Sequence, residues 1–270
     1  MQITGKVFVV TGGGNGIGRE VVLGLLRQGS RVAAVDVSQE GLDETARLAA
    51  AGERLTCHRV DLTDRAAVEA LRDEVLGAHG HVDGLLNVAG IIQPFVRVND
   101  LPYEAVEKVM AVNFWGVVHT VKTFLPALLE RPEAALVNVS SMGALAPVPG
   151  QAAYGASKAA VKLLTEALYA ELRGTPVAVT VVFPGAIATN IAANSGAMPP
   201  GMDASSASSR AAAAKTTSAH DAAAHIIRGM AKGAYRVTIG KDARGLDRLS
   251  RLAPRRATEL IADKMRSLLG

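Results

Sequence analysis

Short apolar runs alternate with amphipathic stretches along most of the chain, in the order expected of strands and helices. The apolar runs predict seven strands, at residues 6–10, 31–35, 55–60, 82–86, 134–139, 177–183 and 236–239. Helical patterns lie between them, and the two longest cover about 102–130 and 150–173. Strands that alternate with helices predict a parallel sheet covered on both faces, so we expect an α/β fold with seven parallel strands flanked by helices.

One segment departs from this pattern. Residues 190–219 are rich in Ala, Ser, Gly and Met, and a helical pattern returns only with 221–232. A segment of this kind inside an α/β domain is usually a mobile lid or partly disordered, and we expect 190–219 to form a lid over a binding site. No linker or internal repeat divides the chain. We therefore expect one domain over 1–240 and a helical extension of the same domain over 241–270.

Composition is that of a globular protein. The 270 residues are 49% hydrophobic and 20% charged, which argues against disorder. Cys57 is the single cysteine, so an intramolecular disulfide and a thiolate metal cluster are excluded, and no metal site is expected. The chain has no run of eighteen apolar residues and no signal-peptide pattern at its start. We expect a soluble, cytoplasmic protein.

The net charge of +4 comes from the C-terminal extension. Residues 241–270 hold eight Lys and Arg against four acidic residues, so the remainder is neutral and nucleic-acid binding is not expected. Within the extension, basic residues recur at helical spacing and predict a basic stripe along one helix face, with leucines 246, 249 and 252 off the stripe. Contact with an anionic membrane surface is one interpretation, and packing of the leucines on the body or on a second subunit is favoured. The stripe consists of Arg244, Arg248, Arg251 and Arg255.

A glycine-rich turn follows the first predicted strand and precedes a helical pattern that runs through Leu26. It reads Thr-Gly-Gly-Gly-Asn-Gly-Ile-Gly over residues 11–18. Glycines allow a tight turn, and the backbone N–H groups at the helix start can bind a pyrophosphate. A flexible turn is the alternative interpretation. The predicted cofactor contacts in this turn are Gly12, Asn15, Gly16, Ile17 and Gly18.

Asp36 ends the second strand, eighteen positions beyond Gly18. An acidic residue at this distance can accept hydrogen bonds from an adenosine ribose, and it would repel a 2′-phosphate. Val37 follows it rather than Lys or Arg, so we expect no cation nearby that could bind the phosphate. NAD is therefore favoured over NADP. The alternative role for Asp36 is a helix N-cap, for which Ser38 competes.

Polar residues also follow the next two strands. In an open parallel sheet, ligands bind at the carboxyl ends of the strands, so we expect Asp61, Leu62 and the 87–90 turn at the ligand edge. In that turn Asn87, Ala89 and Gly90 are the predicted contacts. A structural role for Asn87, tying neighbouring strands together, is equally open.

A tyrosine and a lysine lie four residues apart in the predicted helix 150–173. Tyr154 and Lys158 project from the same face, one turn apart. A nearby positive charge favours a phenolate, so Lys158 could lower the pKa of Tyr154 from about 10 toward neutrality. The alternative interpretation is a surface pair with no chemical role. Asn113 interrupts the apolar helical stretch 102–130, where it is either a structural link or part of a site.

These motifs together resemble the short-chain dehydrogenase/reductase family, in its NAD(P)-dependent single-domain form. The resemblance covers about residues 5–240 and implies a three-layer, Rossmann-type doubly wound sheet. Valine occupies position 88, where the family usually has a second Asn. The motifs occur in family order: Thr11-Gly12 with Gly16 and Gly18, Asp61-Leu62, Asn87 with Ala89-Gly90, Asn113, Ser141, Tyr154 with Lys158, and Pro184-Gly185 with Thr189.

The resemblance implies roles for the catalytic residues. Tyr154 would be the acid/base, and Lys158 would lower its pKa and bind the nicotinamide ribose. Ser141 would hydrogen-bond the substrate oxygen, with the adjacent Ser140 as the weaker candidate. Asn113 would hold a water that connects Lys158 to solvent.

The resemblance also implies contacts around the nicotinamide. Pro184 and Gly185 form the turn after the sixth strand. Ile187, through its backbone, and the Thr189 hydroxyl would hold the carboxamide.

The expected function is NAD-dependent interconversion of a secondary alcohol and a ketone, in a homodimer or homotetramer. The expected pocket segments at 91–95, 142–148 and 191–202 are apolar, which favours a bulky apolar substrate such as a sterol, a terpenoid or a long-chain acyl derivative. The alternatives are an NADP-dependent carbonyl reductase and a nucleotide-sensing protein of the same fold that has lost catalysis. A hydrolase is disfavoured, because the chain has no Gly-x-Ser-x-Gly elbow.

Overall fold

The computed structural model describes residues 1–189, 191–197 and 216–266. Its strands are β1 Val7–Thr11, β2 Arg31–Asp36, β3 Leu55–Arg59, β4 Gly84–Asn87, β5 Ala134–Val139, β6 Val177–Pro184, β7 Ile187–Ala188, β8 Thr217–Ser218 and β9 Arg236–Ile239. Seven of them form one parallel sheet in the order β3-β2-β1-β4-β5-β6-β9, which confirms the predicted seven-stranded α/β fold. The short strands β7 and β8 form a separate parallel pair that the apolar pattern did not predict.

Helices cover both faces of the sheet. They are α1 Gly16–Arg27, α2 Gln39–Ala49, α3 Arg65–His79, α4 Tyr103–Met110, α5 Gly116–Leu129, α6 Ala152–Glu171, α7 Ile191–Asn194, α8 Ala219–Ala231, α9 Lys241–Leu252 and α10 Pro254–Lys264. Polar side chains cap several of them: Ser38 accepts from Gly41 N at the start of α2, and Asp64 accepts from Ala66 N and Ala67 N at the start of α3. These caps set where the helices begin.

Alternate residues of the central strands enter two separate cores. Phe8 and Val10 of β1 pack in the core beneath α1 and α8, while Val9 packs in the core beneath α3, α5 and α6. Because successive strand side chains point to opposite faces, both faces must be apolar for the sheet to lie between two helical layers. The unbroken apolar runs in the sequence therefore correspond to strands buried on both sides.

The sheet contains a topological switch point between β1 and β4. The chain runs outward from β1 through β2 to β3 and then returns to β4 on the other side of β1. Thr11 of β1 is in register with Asn87 of β4. Ligands of open α/β sheets bind outside the carboxyl ends of the strands at such a point, and the predicted site residues lie there.

The helical stretch predicted at 102–130 is interrupted, as expected, around Asn113. A π-helical turn, Ala111–Trp115, connects α4 to α5. Asn113 is completely buried within it. Turns of this type add one residue to a helix and often occur at functional sites, because they redirect a side chain or a carbonyl group.

The prediction of a basic stripe along one tail helix is wrong. Pro254 begins a second helix, so Arg255 lies on α10, whereas Arg244, Arg248 and Arg251 lie on α9. Acidic residues also partner the arginines: Arg251 pairs with Asp247, and Arg255 pairs with Glu259. The three leucines differ too, since Leu246 is buried, Leu249 is partly buried and Leu252 is 86% exposed.

Only part of the expected lid is described. Residues 191–197 contain α7, and Thr217 and Ser218 form β8, while residues 190 and 198–215 lie outside the described residues. The same holds for part of the expected pocket segment 191–202. Within the described ranges, no helix is long and apolar enough to cross a membrane.

Candidate active site

The glycine turn lies directly against the end of β4. Gly12 has a φ of 72°, and a Cβ added there would lie 2.9 Å from the Cα of Ala89. The Thr11 hydroxyl accepts hydrogen bonds from Val88 N at 3.1 Å and Ala89 N at 3.2 Å. A glycine is required at position 12 by both its backbone conformation and this close approach.

The start of α1 provides backbone donors at the same edge. The Asn15 side chain accepts from Gly16 N at 2.6 Å, and the first helical hydrogen bond runs from Arg19 N to Asn15 O. The N–H groups of Ile17 and Gly18 precede that bond and have no partner within the helix. A Cβ added at Gly16 would meet only the Thr189 side chain, at 3.6 Å or more. This arrangement suits a pyrophosphate group.

Asp36 lies beside the glycine turn. Its Oδ2 accepts from Gly14 N at 2.9 Å and its Oδ1 accepts from Ser38 N at 3.0 Å, while Ser38 itself caps α2. The N-cap interpretation of Asp36 is therefore wrong. The expectation that no cation lies nearby also needs correction, because the Arg19 guanidinium donates to the carbonyl oxygens of Gly14 and Gly41.

Asp61 and Leu62 make local contacts at the end of β3. The Asp61 Oδ1 accepts from the backbone N and the hydroxyl of Thr63, which closes a short turn. The Leu62 carbonyl accepts from His119 Nδ1 at 2.9 Å, and its side chain packs beside Gly116 of α5. The structure places both residues at the predicted edge.

Asn87 has the structural role that the sequence left open. It is buried, and its Nδ2 donates to Asn138 Oδ1 at 2.9 Å in the neighbouring strand β5. Its Oδ1 accepts from the Thr120 hydroxyl of α5 at 2.8 Å. Asn138 in turn donates to the Thr165 hydroxyl of α6. The Asn87 side chain thus connects two strands and two helices.

Tyr154, Ser141 and Lys158 converge where β5 ends and α6 begins. The Tyr154 phenol lies beside the Ser141 side chain, which acts as a hydrogen-bond partner for its ionised form. Gly143 lies against both, since a Cβ added there would be 3.5 Å from Ser141 Oγ and 3.6 Å from Tyr154 Cε1. One turn further along α6, the buried Lys158 ammonium donates to the Val139 carbonyl at 3.0 Å.

Burial controls the ionisation of this group of residues. It raises the pKa of Tyr154, and the hydrogen bond to Ser141 offsets only part of that rise. Burial also lowers the pKa of Lys158, to about 8. The expectation that Lys158 brings the pKa of Tyr154 toward neutrality is therefore wrong for the protein by itself, because desolvation opposes charge on both side chains.

The two serines after β5 have different surroundings. The Ser140 hydroxyl donates to the Lys158 carbonyl at 2.7 Å, which fixes the first turns of α6 to β5. The Ser141 hydroxyl accepts from Gly143 N at 3.0 Å and contacts the phenol. The preference for Ser141 over Ser140 as the residue near the reacting atoms agrees with this geometry.

Asn113 connects three segments around the lysine. Its Oδ1 accepts from Ile91 N at 2.8 Å, and its Nδ2 donates to Ile91 O at 2.9 Å and to Ser157 Oγ at 3.0 Å. A Cβ added at Gly90 would lie 3.0 Å from Lys158 Nζ and 3.3 Å from Asn113 Oδ1, so a larger residue there would crowd both side chains. Both N–H groups of the Asn113 amide already donate hydrogen bonds. A water held by Asn113 would therefore have to donate a hydrogen bond to one of its oxygens.

The turn after β6 brings Pro184–Thr189 to the same edge. Gly185 N donates to Ile239 O at 2.9 Å, and Ala186 N donates to the Asp242 carboxylate at 2.7 Å. Ile187 then pairs with Thr217 in the short β7 and β8 pair. Thr189 lies opposite Gly16, on the other side of the cleft above β1.

The sequence pattern did not predict a role for Gln93, which lies in the segment 91–95 expected to line an apolar pocket. It is buried, its Nε2 donates to Gly150 O at 3.0 Å, and its Oε1 accepts from Tyr154 N at 3.0 Å. Its carbonyl oxygen accepts from Gln151 Nε2 at 2.7 Å. Gln93 therefore holds the start of α6, and nothing in the local sequence pattern indicates that pairing.

The structure thus brings the predicted site residues to one edge of the sheet. A cavity of about 620 Å³ lies elsewhere, between α3 and α5, and is lined by none of them. In the part of the chain described, no group of three or more His, Cys, Asp or Glu side chains could hold a metal ion.

Known proteins match this chain over most of its length. The family model for short chain dehydrogenases matches residues 6–200. SadH of Mycobacterium tuberculosis is 38% identical over 261 residues, covering 96% of this chain and 94% of SadH. The 1-deoxy-11-beta-hydroxypentalenate dehydrogenase of Streptomyces avermitilis is 38% identical over 193 residues, covering 70% of this chain and 71% of that enzyme.

Solved structures with the same fold contain either nicotinamide cofactor. A short chain dehydrogenase/reductase from Burkholderia phymatum in complex with NAD has a TM-score of 0.84 at 30% identity, covering 92% of this chain and 94% of that one. A short chain dehydrogenase from Burkholderia cenocepacia J2315 in complex with NADP has a TM-score of 0.79 at 26% identity, covering 98% and 99%.

Proposed function

The chain belongs to the short-chain dehydrogenase/reductase family of oxidoreductases, and from that premise we propose that it interconverts a secondary alcohol and a ketone with NAD. In this proposal Tyr154 is the catalytic acid/base. The observation that carries it is the convergence of the Tyr154 phenol, the Ser141 hydroxyl and the Lys158 ammonium at the end of β5, beside the turn that follows β4. A relative that is a dehydrogenase of a hydroxypentalenate supports an alcohol as the substrate.

The residues present fit a dinucleotide. Gly12 allows the glycine turn to approach Ala89, Gly16 leaves space toward Thr189, and the first turn of α1 offers N–H groups to a pyrophosphate. Asp36, Asp61, Leu62 and the turn 87–90 would surround the adenosine end. Pro184, Gly185, Ile187 and Thr189 would hold the other end. A bound nicotinamide would supply the hydride acceptor or donor.

The side chains of this protein would handle the proton. In the oxidative direction, the Tyr154 phenolate accepts the hydroxyl proton as the carbinol carbon loses hydride, and in reduction the phenol returns a proton to the ketone oxygen. Ser141 would hold the substrate oxygen beside the phenol. Positioned acid/base groups of this kind accelerate reactions by about 10²–10⁴-fold.

Lys158 and Asn113 would assist the proton transfer. Because burial lowers the pKa of Lys158 to about 8, this side chain can exchange a proton near neutral pH. Asn113 Oδ1 and Lys158 Nζ both lie beside Gly90. Asn113 would hold a water between Lys158 and solvent by accepting a hydrogen bond from it. The roles of all four catalytic residues remain our proposal.

NAD is the cofactor we propose, because of the charge at Asp36. Its carboxylate lies against Gly14, where the adenosine ribose would bind, and a 2′-phosphate there would be repelled. The Arg19 guanidinium is close, but its contacts are with the carbonyls of Gly14 and Gly41 and the Thr45 hydroxyl. An NADP-dependent carbonyl reductase is the alternative, in which Arg19 would turn toward the phosphate.

The substrate we propose is a bulky apolar alcohol or ketone. The segment 142–148 follows Ser141 directly and carries no charged side chain. Residues 91–95 contribute further apolar side chains around the inward-facing Gln93. Apolar walls with few polar groups favour apolar ligands. A homodimer or homotetramer, and a cytoplasmic location, stay predictions.

One assay tests the reaction and the cofactor together. Wild-type protein and Tyr154→Phe would be assayed against a panel of apolar alcohols, small hydroxy acids and ketones, each with NAD and with NADP. We expect the wild type to oxidise apolar secondary alcohols with NAD, and Tyr154→Phe to lose at least 100-fold in kcat, because the phenol oxygen that transfers the proton is absent. NAD affinity of the variant, measured by calorimetry, should stay within about threefold of wild type.

Near-normal turnover by Tyr154→Phe would refute the assignment of the acid/base. A preference for small hydroxy acids would refute the apolar substrate, and a preference for NADP would refute the argument from Asp36. If the wild type binds NAD but turns over nothing in the panel, the nucleotide-sensing alternative gains support.

A further inference from the structure

The C-terminal extension contacts two loops that flank the candidate active site. We propose that α9 and α10 form a positioning element that holds both loops: Asp242 fixes the loop 184–186, and an apolar cluster fixes the segment 142–148. This inference rests on the proposed function, because those loops carry the residues expected to bind nicotinamide and substrate. The tail would therefore act on catalysis without contacting the reacting atoms.

The first contact is a single carboxylate against the turn after β6. The Asp242 Oδ2 accepts from Ala186 N at 2.7 Å. Gly185 is packed so tightly against Asp242 that an added Cβ would lie 2.5 Å from its Cγ. Asp242 lies in the first turn of α9, where the helix dipole stabilises a negative charge. Since Ile187 directly follows this turn, its position depends on the acceptor at Asp242.

The second contact is the apolar cluster beneath the loop after Ser141. Ala146 from that loop is buried with Leu246 of α9, and with Ala257 and Ile261 of α10. Four partly buried side chains, Met142, Val148, Leu249 and Met265, pack around them. The cluster is separate from the two cores that cover the sheet, so its apolar contacts serve this loop and the tail.

The two contacts should have separable effects. Loss of the Asp242 acceptor would free the backbone that leads into Ile187 and Thr189, which are expected to hold the nicotinamide carboxamide. Loss of apolar volume at Leu246 would loosen the segment that follows Ser141, on the substrate side. The first change should weaken NAD binding, and the second should raise KM for the alcohol.

Two single variants test the proposal, each with a matched control. Asp242→Ala is paired with Asp263→Ala, which removes an exposed carboxylate of α10 that pairs with Arg266. Leu246→Ala is paired with Leu252→Ala, because Leu252 lies on the same helix and is 86% exposed. Calorimetric Kd for NAD, KM and kcat for the alcohol, and the thermal midpoint would be measured for each.

We expect Asp242→Ala to bind NAD about tenfold more weakly than wild type, the loss typical of a hydrogen bond to a charged group. Asp242→Asn keeps an oxygen acceptor and should recover binding to within about threefold. Leu246→Ala should raise KM for the alcohol severalfold, with its Kd for NAD within twofold of wild type. If Leu246→Ala does not fold, Leu246→Val removes less volume and replaces it. Both controls should match wild type.

Peptide-level hydrogen exchange separates this proposal from the proposed reaction, since it needs neither cofactor nor turnover. We expect faster exchange at 184–188 in Asp242→Ala, and faster exchange at 142–148 in Leu246→Ala. Folded variants whose exchange in these segments equals that of their controls would overturn the positioning role. Inactive wild-type protein with the expected exchange pattern would refute the reaction and leave the positioning role supported.

Discussion

At the level of single residues, burial decides the ionisation of the Tyr154 and Lys158 pair. Their spacing on a helix was readable from the sequence, and it suggested that the ammonium would favour the phenolate. In the folded protein, desolvation raises the pKa of Tyr154 and lowers that of Lys158 to about 8. Proximity alone therefore does not determine the sign of a pKa shift, because burial disfavours the charged form of both groups.

The depressed pKa of Lys158 predicts a pH dependence of stability. Its folded-state pKa of about 8 lies below the ordinary value of 10.5, so the unfolded chain binds more protons between these two pH values. The free energy of unfolding of wild type should therefore rise with pH across this window, relative to Lys158→Met, by up to about 3 kcal/mol. Urea unfolding of both proteins at pH 7, 8, 9 and 10 measures it. Parallel pH profiles for the two proteins would contradict the prediction.

At the level of elements, the helix that carries Tyr154 depends on a loop far away in sequence. α6 presents Tyr154 in its first turn, and the Gln93 side chain from the loop after β4 accepts from the Tyr154 backbone N–H. The same amide donates to Gly150 O, and Gln151 donates to the Gln93 carbonyl. Four segments thus fix where the phenol lies: the β4 loop, the residues before α6, the π turn at Asn113 and the end of β5.

We expect Gln93→Met, which keeps the side-chain volume and removes both amide contacts, to lower kcat roughly tenfold. The start of α6 would lose its fixed position, and a displaced proton-transfer group reacts more slowly. KM for the alcohol and Kd for NAD should change by less than about threefold, because the glycine turn is untouched. Steady-state kinetics and calorimetry measure this split.

The control is Gln39→Met, since Gln39 is exposed and bonds only to Asp43 among its described contacts. A variant of Gln93 that loses thermal stability but keeps its kcat would show that the residue is structural only. The pH profile of kcat provides a second readout, because a misplaced phenol should shift its ascending limb while a purely structural change should not.

At the level of the whole molecule, a buried carboxylate and its basic partners lie at the edge of the sheet opposite the candidate site. Asp83, completely buried before β4, accepts from Val7 N at 2.9 Å and from Arg131 Nε at 2.9 Å. Lys6 and His81 also lie within 4 Å of its carboxylate. This carboxylate connects the starts of β1 and β4 with the end of α5, so the central strands depend on it.

The pKa of Asp83 predicts how the free energy of unfolding changes in acid. Burial raises the pKa of Asp83, but the Val7 N–H, Arg131 and Lys6 together lower it below its ordinary value of 3.8. The stabilisation is therefore fully present above the unfolded pKa and is lost as pH falls through the folded pKa. We expect Asp83→Asn to lose about 1.5–3 kcal/mol of unfolding free energy at pH 7, because the Val7 N–H and the partly exposed Lys6 and Arg131 lose a charged acceptor.

The difference between wild type and Asp83→Asn should shrink below pH 4, which denaturant unfolding at pH 7, 5 and 3.5 measures. Asp73→Asn is the matched control, since Asp73 is exposed and pairs with Arg72 on the surface of α3. A loss at pH 7 no larger than that of Asp73→Asn would contradict the role given to Asp83.

Several elements show how far the sequence could be read. The seven strands and the break at Asn113 were predictable, because they depend on local patterns of apolar residues. The tail was predicted as one basic helix face, although Pro254 divides it into α9 and α10 and acidic residues partner its arginines. The two-stranded pair β7 and β8 was missed, since each strand has two residues and no apolar run.

The sequence by itself determined the order of strands and helices, the burial of the sheet on both faces, and the motif spacing that places the chain in its family. These properties follow from side-chain periodicity and from short-range backbone preferences, which neighbouring residues fix. Only the tertiary structure decided which side chains meet across long separations, such as Gln93 with Tyr154 and Asp242 with Ala186. It also decided the pKa of Tyr154, because desolvation depends on atoms that distant segments bring together.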